Sequence, residues 1–377
     1  MEKEKNNIPK VSIIMTVKNG EKYLKKSLES ISKQTLKDIE IVCIYADSVD
    51  KTLNILEEFE KEDNRLKIYN QEKPGIGAAK NLGIEKSIGE FITFLDSDDY
   101  YMDKNALSEM YTAAKENDVN VCGGLRSILN MDGKIEPLSL HRAFLVGFPK
   151  GRMFYYNNVQ YDYHFHSYIY NRDMIQNSDA RFAETKVYDD THFFIRAMVK
   201  AEKFYVVPVE LYCYRLHEGY SWSNVSCYDA IKSLTDQLKY TSEHRLDIGH
   251  YIAVQRANYE YGPLFETYIR SGDFKMLELM LEMQNCIDYH LIDKILKNKP
   301  DNNMLDPMCF PNCEVKQINT DGNEKYVLTV LYNLITASSQ EHLYDKIEDI
   351  YNSKTYKTGK VILWLPKKIL QILHLKK

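Results

Sequence analysis

The run Phe91-Ile92-Thr93-Phe94-Leu95-Asp96-Ser97-Asp98-Asp99 joins an apolar segment directly to three carboxylates. In an α/β sheet, ligands collect at the carboxyl ends of the strands. Two aspartates spaced i, i+2 where an extended segment turns can offer one carboxylate to a sugar hydroxyl and the other to a hard divalent cation. Such a cation takes oxygen ligands and can bridge two phosphates. The same residues could instead cap a following helix, Asp98 or Asp99 accepting its free N–H groups. Gly75-Ile76-Gly77 is not a dinucleotide fingerprint: Lys80 stands where the third glycine belongs, and the turn follows the third strand rather than the first. NAD and FAD are therefore rejected. A helix opening near Gly77 could receive phosphate on its free N–H groups with Lys80 adding charge, or Lys80 could be a solvated surface residue. His164 and His166 alternate with Tyr163 and Phe165, which in a strand would put both imidazoles on one face, without a third metal partner.

The elements that must position these groups follow from periodicity. Lys10–Val17 reads as a buried strand, broken by Lys18-Asn19-Gly20, and Leu24, Leu28 and Ile31 then recur at helical spacing. A strand Ile39–Tyr45 follows, then a helix with Leu53, Leu56 and Phe59 on one side and Asp50 as its expected N-cap. Leu66–Tyr69, Phe91–Leu95 and Val119–Cys122 read as strands, and Ala78–Ser87 and Lys104–Glu116 as helices. Alternation of this kind gives a mainly parallel sheet flanked by helices. Between Gly123 and Gly219 the pattern is mixed and rich in aromatics. The density around Met153–Tyr170 suits stacking on sugar faces or simply a packed aromatic layer. Beyond about Val225 the chain reads as helical, near Tyr228–Glu243, Ile252–Ser271, Phe274–Cys286 and Val327–Tyr351. The boundaries expected are 1–224, 225–353 and a tail 354–377.

The composition narrows the classes. A chain of 377 residues with 44% hydrophobic and 27% charged residues can bury a core and form about two domains. A formal charge of −5 is too balanced for a whole-protein nucleic-acid footprint, so no nucleic-acid partner is expected. Seven scattered cysteines fit a reducing compartment better than a disulfide framework. Cys309 and Cys313 read as two ordinary thiols rather than half a zinc site. The charged stretch Met1–Lys10 and the short apolar run Val11–Val17 are neither signal peptide nor anchor, since a span needs about 20 apolar residues.

Taken together, the sequence resembles the family 2 glycosyltransferases, enzymes with the nucleotide-diphosphosugar-binding fold called GT-A. The resemblance runs from about Pro9 to Trp222 through five motifs in order: Val11–Asn19, Ser32–Ile41, Gly77–Gly83, Gly89–Asp99 and Val187–Phe194. It implies an α/β GT-A sheet, with a donor half at about 9–123 and an acceptor half at about 124–224, followed by a helical C-terminal region. Asp96-Ser97-Asp98 matches the family's DxD motif, so the resemblance assigns Asp96 to the ribose or sugar and Asp98 to Mn²⁺ or Mg²⁺ at the pyrophosphate, with Asp99 beside them. Asp189-Asp190 stands where the family usually has Glu-Asp, which makes Asp190 the expected general base. Thr16, Val17 and Asn19 match the turn that receives the base. Tyr45-Ala46-Asp47 departs from the usual pattern, with Ala46 where a uracil-contacting aspartate is common and Asp47 as a relocated contact. Lys80 falls within the third motif, and Arg215 and His217 match a segment near the donor phosphates, His217 as a second metal or phosphate contact.

The mechanism so implied is a single inverting displacement at the anomeric carbon of a nucleotide-sugar, with a UDP-sugar as the expected donor. The expected acceptor is a glycan or lipid-linked glycan hydroxyl in capsule, lipopolysaccharide or other surface polysaccharide synthesis. Lys354–Lys377 contains seven lysines and no acid around two short apolar runs and Trp364, a pattern suited to an anionic membrane surface. A cytoplasmic protein, peripheral on the inner face of a bacterial membrane, is the corresponding expectation. Two competing readings are a nucleotidyltransferase, disfavoured because Lys18-Asn19-Gly20-Glu21 supplies no Arg- and Lys-containing phosphate loop, and a catalytically silent scaffold subunit of a polysaccharide-assembly complex.

Overall fold

A computed structural model describes residues 8–137, 145, 147–217, 223–298, 316–320, 323–328 and 331. The chain divides into two compact units, Met1–Tyr220 and Ser221–Lys377.

The first unit is built on one sheet. Strands β1 (Val11–Val17), β2 (Ile39–Tyr45), β3 (Leu66–Asn70) and β4 (Phe91–Phe94) alternate with helices α1 (Leu24–Ser32), α2 (Thr52–Glu62) and α3 (Ile76–Lys86). Then come β5 (Tyr100–Tyr101), α4 (Ala106–Glu116), β6 (Val121–Leu129), β7 (Ile135–Pro137), β8 (Arg152–Tyr155) and β9 (Tyr168–Asn171). Helix α5 (Asp189–Ala201) and strand β10 (Lys203–Arg215) complete the unit. The strand order is β3-β2-β1-β4-β9-β6-β10-β5, with β7 on β6 and β8 on β10. β1 pairs in parallel with both β2 and β4, and β6 with β10, while β9 runs antiparallel to β4 and β6. This is the α/β architecture expected from the alternation, extended by a mixed half.

Burial explains the order. Ile13, Met15, Ile41 and Cys43 lie in one fully buried cluster with Leu24, Leu28 and Ile31 of α1, as the i, i+4, i+7 spacing requires. α3 packs closer still. A Cβ at Gly83 would lie 2.3 Å from Ile14 Cγ2, and one at Gly77 would lie 2.0 Å from the carbonyl oxygen of Ala183, so only glycine permits that approach. The segment around Ala183 is also tied to α3 by Asn81, whose side chain exchanges two 2.9 Å hydrogen bonds with the Phe182 backbone. Ala183 N–H in turn donates to the Asp189 carbonyl. α3 thereby fixes the entry of α5, 100 residues downstream in the chain.

The local expectations hold with adjustments. The N-cap position of α2 is Lys51, one residue later than foreseen, yet the Asp50 carboxylate still accepts the Thr52 N–H at 3.0 Å. Met153–Tyr170 is mostly a packed layer: Phe154, Tyr156, Phe165, Tyr168 and Tyr170 are buried.

The second unit begins with a helix Asn224–Glu243, and the segment expected as one helix over 252–271 is split. Asp247–Gln255 passes through a π-helical turn, Arg256–Glu260, before Gly262–Arg270. Pro263 in the first turn of the later helix has no N–H to continue the earlier one. Helices Phe274–Gln284 and Tyr289–Asn298 follow, then an antiparallel hairpin, Lys316–Thr320 with Asn323–Val327. Val327 therefore closes a strand rather than opening a helix. The rest of the expected helix to Tyr351, Cys309 with Cys313, and the basic stretch 354–377 lie outside the described residues. Among the described residues no helix is long and apolar enough to cross a membrane.

Candidate active site

The site is assembled where β1, β2 and β4 end. β4 stops at Phe94, and the chain turns with the Asp99 N–H donating to the Asp96 carbonyl. That turn brings Asp96, Asp98 and Asp99 together, one carboxylate oxygen of each lying within 4.8 Å of the others. Three acids so close repel one another unless cations or donors hold them. Each has such a partner. Asp96 Oδ2 accepts from His166 Nε2 at 2.9 Å, and Asp98 Oδ2 lies 2.7 Å from His217 Nε2. Asp99, 1% exposed, accepts from the Tyr212 hydroxyl at 2.6 Å and from the Arg215 N–H at 2.7 Å. Arg215 Nε also donates to the Asp98 carbonyl, and its guanidinium stacks 4.2 Å from the Tyr23 ring centroid.

The electrostatics separate the three acids. Burial raises the Asp96 carboxyl, but His166 and then Lys80 outweigh it and hold Asp96 well below the usual carboxylate range. Asp99 is pushed up to about 8, first by burial and then by the charges of Asp96 and Asp98. A bound divalent cation would reverse that pressure. The donor set fits one. Clustered carboxylate oxygens suit Mg²⁺ or Mn²⁺, and an imidazole beside Asp98 favours the softer Mn²⁺.

A cleft of about 700 Å³ opens beside the triad, lined by Thr16, Val17, Lys18, Ala46, Asp47, residues 71–76, Ala79 and Asp96–Asp98. Thr16, Asp47, Asp96 and Asp98 thus share one cavity. Asn19 is not in its lining. At φ 51 it clamps the neighbouring loop, its N–H donating to Ser48 Oγ and its Oδ1 accepting from Val49 N–H.

Lys80 is neither solvated nor extended into the cleft. It is 4% exposed, between the rings of Phe165 and Phe182, with its ammonium 3.1 Å from Asp189 Oδ2. Burial lowers its pKa, but the carboxylates of Asp189, Asp96 and Asp190 together leave it raised. The reason is the face of α3 that turns inward, where Ala79, Lys80, Gly83 and Ile84 are all buried. Asp190 sits in the first turn of α5, after Tyr188 in a left-handed conformation at φ 64. Burial and then the charge of Asp189 push its carboxyl up to about 6, against the pull of Lys80 and His166. His166 bonds to Asp96 and Lys80 to Asp189, and the charges of both act on Asp96 and Asp190.

Tyr212 escapes sequence reasoning altogether, and the partners of His166 and Asp189 do so as well. The alternation around His164 suggested a strand, but His164 is left-handed at φ 70 and Phe165–Ser167 forms a 3₁₀ turn. That turn swings one imidazole onto Asp96. Asp189 and Tyr212 had no local signal, because their partners lie 109 and 113 residues away.

Lys80→Met leaves the buried Asp189 without its counter-charge. Unfolding in urea is expected to show a loss of about 3 kcal/mol, in the range for breaking a buried pair. A change below about 1 kcal/mol would mean the pair is dispensable.

Residues 12–178 match the family model described as Glycosyl transferase family 2. That match lies wholly within the N-terminal unit. EpsH of Bacillus subtilis (strain 168) is 34% identical to this chain over 223 residues, covering 55% of this chain and 61% of its own length. A poly(ribitol-phosphate) beta-glucosyltransferase of Bacillus spizizenii is 32% identical over 137 residues, 35% of this chain and 21% of that protein. The chain spans about three-fifths of the length of EpsH and of EpsJ, another B. subtilis relative. In three dimensions it is similar to S. aureus TarS residues 1–349, crystallised with UDP-GlcNAc, with TM-score 0.62 and 19% identity over 85% of this chain and 97% of that one. That likeness establishes the fold, the family's GT-A architecture.

Proposed function

We propose that the protein transfers a sugar from a nucleotide-diphosphosugar, a UDP-sugar, to a hydroxyl of a glycan or lipid-linked glycan in surface polysaccharide synthesis, with inversion. One juxtaposition supports this best. A carboxylate cluster suited to a divalent cation borders a cleft of nucleotide size, and a separate carboxylate with a raised pKa is coupled to it through Lys80 and His166.

Thr16 and Asp47 face the base and ribose, with Ala46 leaving part of base recognition to the backbone. Asp96, kept ionised by His166 and Lys80, accepts hydrogen bonds from donor hydroxyls. Asp98 and His217 would hold Mn²⁺ or Mg²⁺, which when bound neutralises charge on the departing nucleoside diphosphate. Arg215 fixes the turn that presents Asp98. Asp190 takes the proton from the acceptor hydroxyl, and a pKa near 6 leaves it ionised at neutral pH yet more basic than an ordinary aspartate. One attack from the face opposite the leaving group inverts configuration, so no covalent nucleophile is needed.

The test is a panel of nucleotide-sugars scored for nucleoside diphosphate release, with the anomeric configuration of the product read by NMR. Retention of the donor's configuration would reject the mechanism. A silent scaffold is suggested only by Ala46 and is opposed by the presence of Asp96, Asp98 and Asp190 in one unit.

The stretch 354–377 is proposed to hold the enzyme on the anionic inner face of the membrane. Flotation with phosphatidylglycerol vesicles should fall at least severalfold when the chain ends at Ser353. Equal flotation of both forms would remove the tail from the account.

A further inference from the structure

Arg126 is a cation that the proposed mechanism does not use. It lies on β6 opposite Tyr212 of β10, and its guanidinium is 4.9 Å from the Tyr214 ring centroid. It makes no hydrogen bond or ion pair with any described residue, and its Nε is buried without a partner. The side chain as a whole is only partly buried. The carboxylate whose charge acts on Arg126 is Asp99, but its oxygens are already engaged by the Tyr212 hydroxyl and the Arg215 N–H. His166, whose ring centroid is 5.2 Å from that of Tyr212, has a buried Nδ1 that also lacks a partner.

Buried polar groups in native proteins are almost always satisfied, so a buried guanidinium nitrogen without a protein partner calls for one from water, an ion or a ligand. A guanidinium offers a planar fork that matches carboxylate and phosphate oxygens. Its place in the sheet says which part of the substrate that partner belongs to. The nucleotide-sized cleft lies over the ends of β1, β2 and β4, whereas β6 is separated from β4 by β9. An anion at Arg126 is therefore not the nucleotide's base end, and the diphosphate belongs beside Asp98.

From this we propose that Arg126 binds an oxyanion carried by the reacting partners, either a carboxylate on the transferred sugar or a phosphate on the acceptor. The inference rests on the glycosyltransferase reading of the site and adds a selectivity to it.

Calorimetry on the full chain with Mn²⁺ separates the possibilities. One arm compares UDP-glucuronic acid with UDP-glucose. The other, with UDP present, compares glycerol 3-phosphate with glycerol. Wild type should prefer the anionic member of at least one pair by about tenfold, the range of one charge-assisted contact. Arg126→Gln should abolish that preference while UDP itself binds as before, and Arg126→Lys should keep part of it. Which pair responds identifies the source of the anion. No preference in either pair, or a preference that survives Arg126→Gln, overturns the proposal. Failure of wild type to bind UDP would instead reject the underlying donor-site reading.

Discussion

Asp190→Asn is expected to reduce turnover at least 10³-fold while leaving donor binding within about threefold of wild type. The side chain keeps its size, but the amide cannot take the acceptor proton, and general base catalysis contributes about 10²–10⁴ in rate. In wild type the rate should fall as Asp190 protonates. With a carboxyl pushed up to about 6, log kcat/KM should decline with unit slope below about pH 6 and level off above it. The same substitution should stabilise the fold at neutral pH. A carboxyl whose folded pKa is raised favours the folded state most below its unfolded pKa and destabilises it above the folded pKa. At pH 7 that penalty is present, and removing the charge should return up to about 3 kcal/mol. Denaturant midpoints at pH 7 and pH 4.5 check this, with the difference between variant and wild type shrinking at the lower pH. Opposite signs in activity and stability are the mark of a functional charge; a variant that loses both would indicate a purely structural aspartate.

The second large effect belongs to Asp98. Its Oδ2 meets His217, its carbonyl accepts from Arg215, and it lies within the only cluster of three metal-ligating residues among those described. Asp98→Ala should weaken Mn²⁺-dependent donor binding at least 100-fold and abolish the Mn²⁺-induced rise in melting temperature. The apo protein should stay within about 1 kcal/mol of wild type, because removing one of three mutually repelling carboxylates relieves strain as it removes a contact. His217→Ala should give a smaller loss, on the order of tenfold, and shift the preference from Mn²⁺ toward Mg²⁺ as the nitrogen donor is lost. An unchanged metal response in Asp98→Ala would move the cation site elsewhere.

The framework of the site was legible because its signals are local. Val11–Val17, Ile39–Tyr45 and Phe91–Phe94 are short apolar runs bounded by breakers, and the helices between them show the 3.6-residue repeat, so the sheet and its carboxyl ends could be drawn from sequence. Asp96 and Asp98 follow the last of these strands directly and could be placed at its mouth for the same reason. What could not be read depends on distant partners. Lys80 looked like a phosphate-binding or solvated lysine because nothing near it announces Asp189. His166 looked like half of a strand pair because a left-handed His164 leaves no periodic trace. Asn19 matched a base-binding turn in type and position, yet its side chain is spent on the loop 46–50. In the second unit, the break at Gly262-Pro263 falls inside a segment that the apolar pattern made read as one helix.

The most direct test of the central claim is calorimetric titration of UDP, GDP and CDP into the wild-type chain, first with Mn²⁺ and then with EDTA. The account predicts that UDP binds in the presence of Mn²⁺ and that EDTA abolishes the binding. No nucleotide binding by the folded chain, or UDP binding indifferent to EDTA, would contradict it.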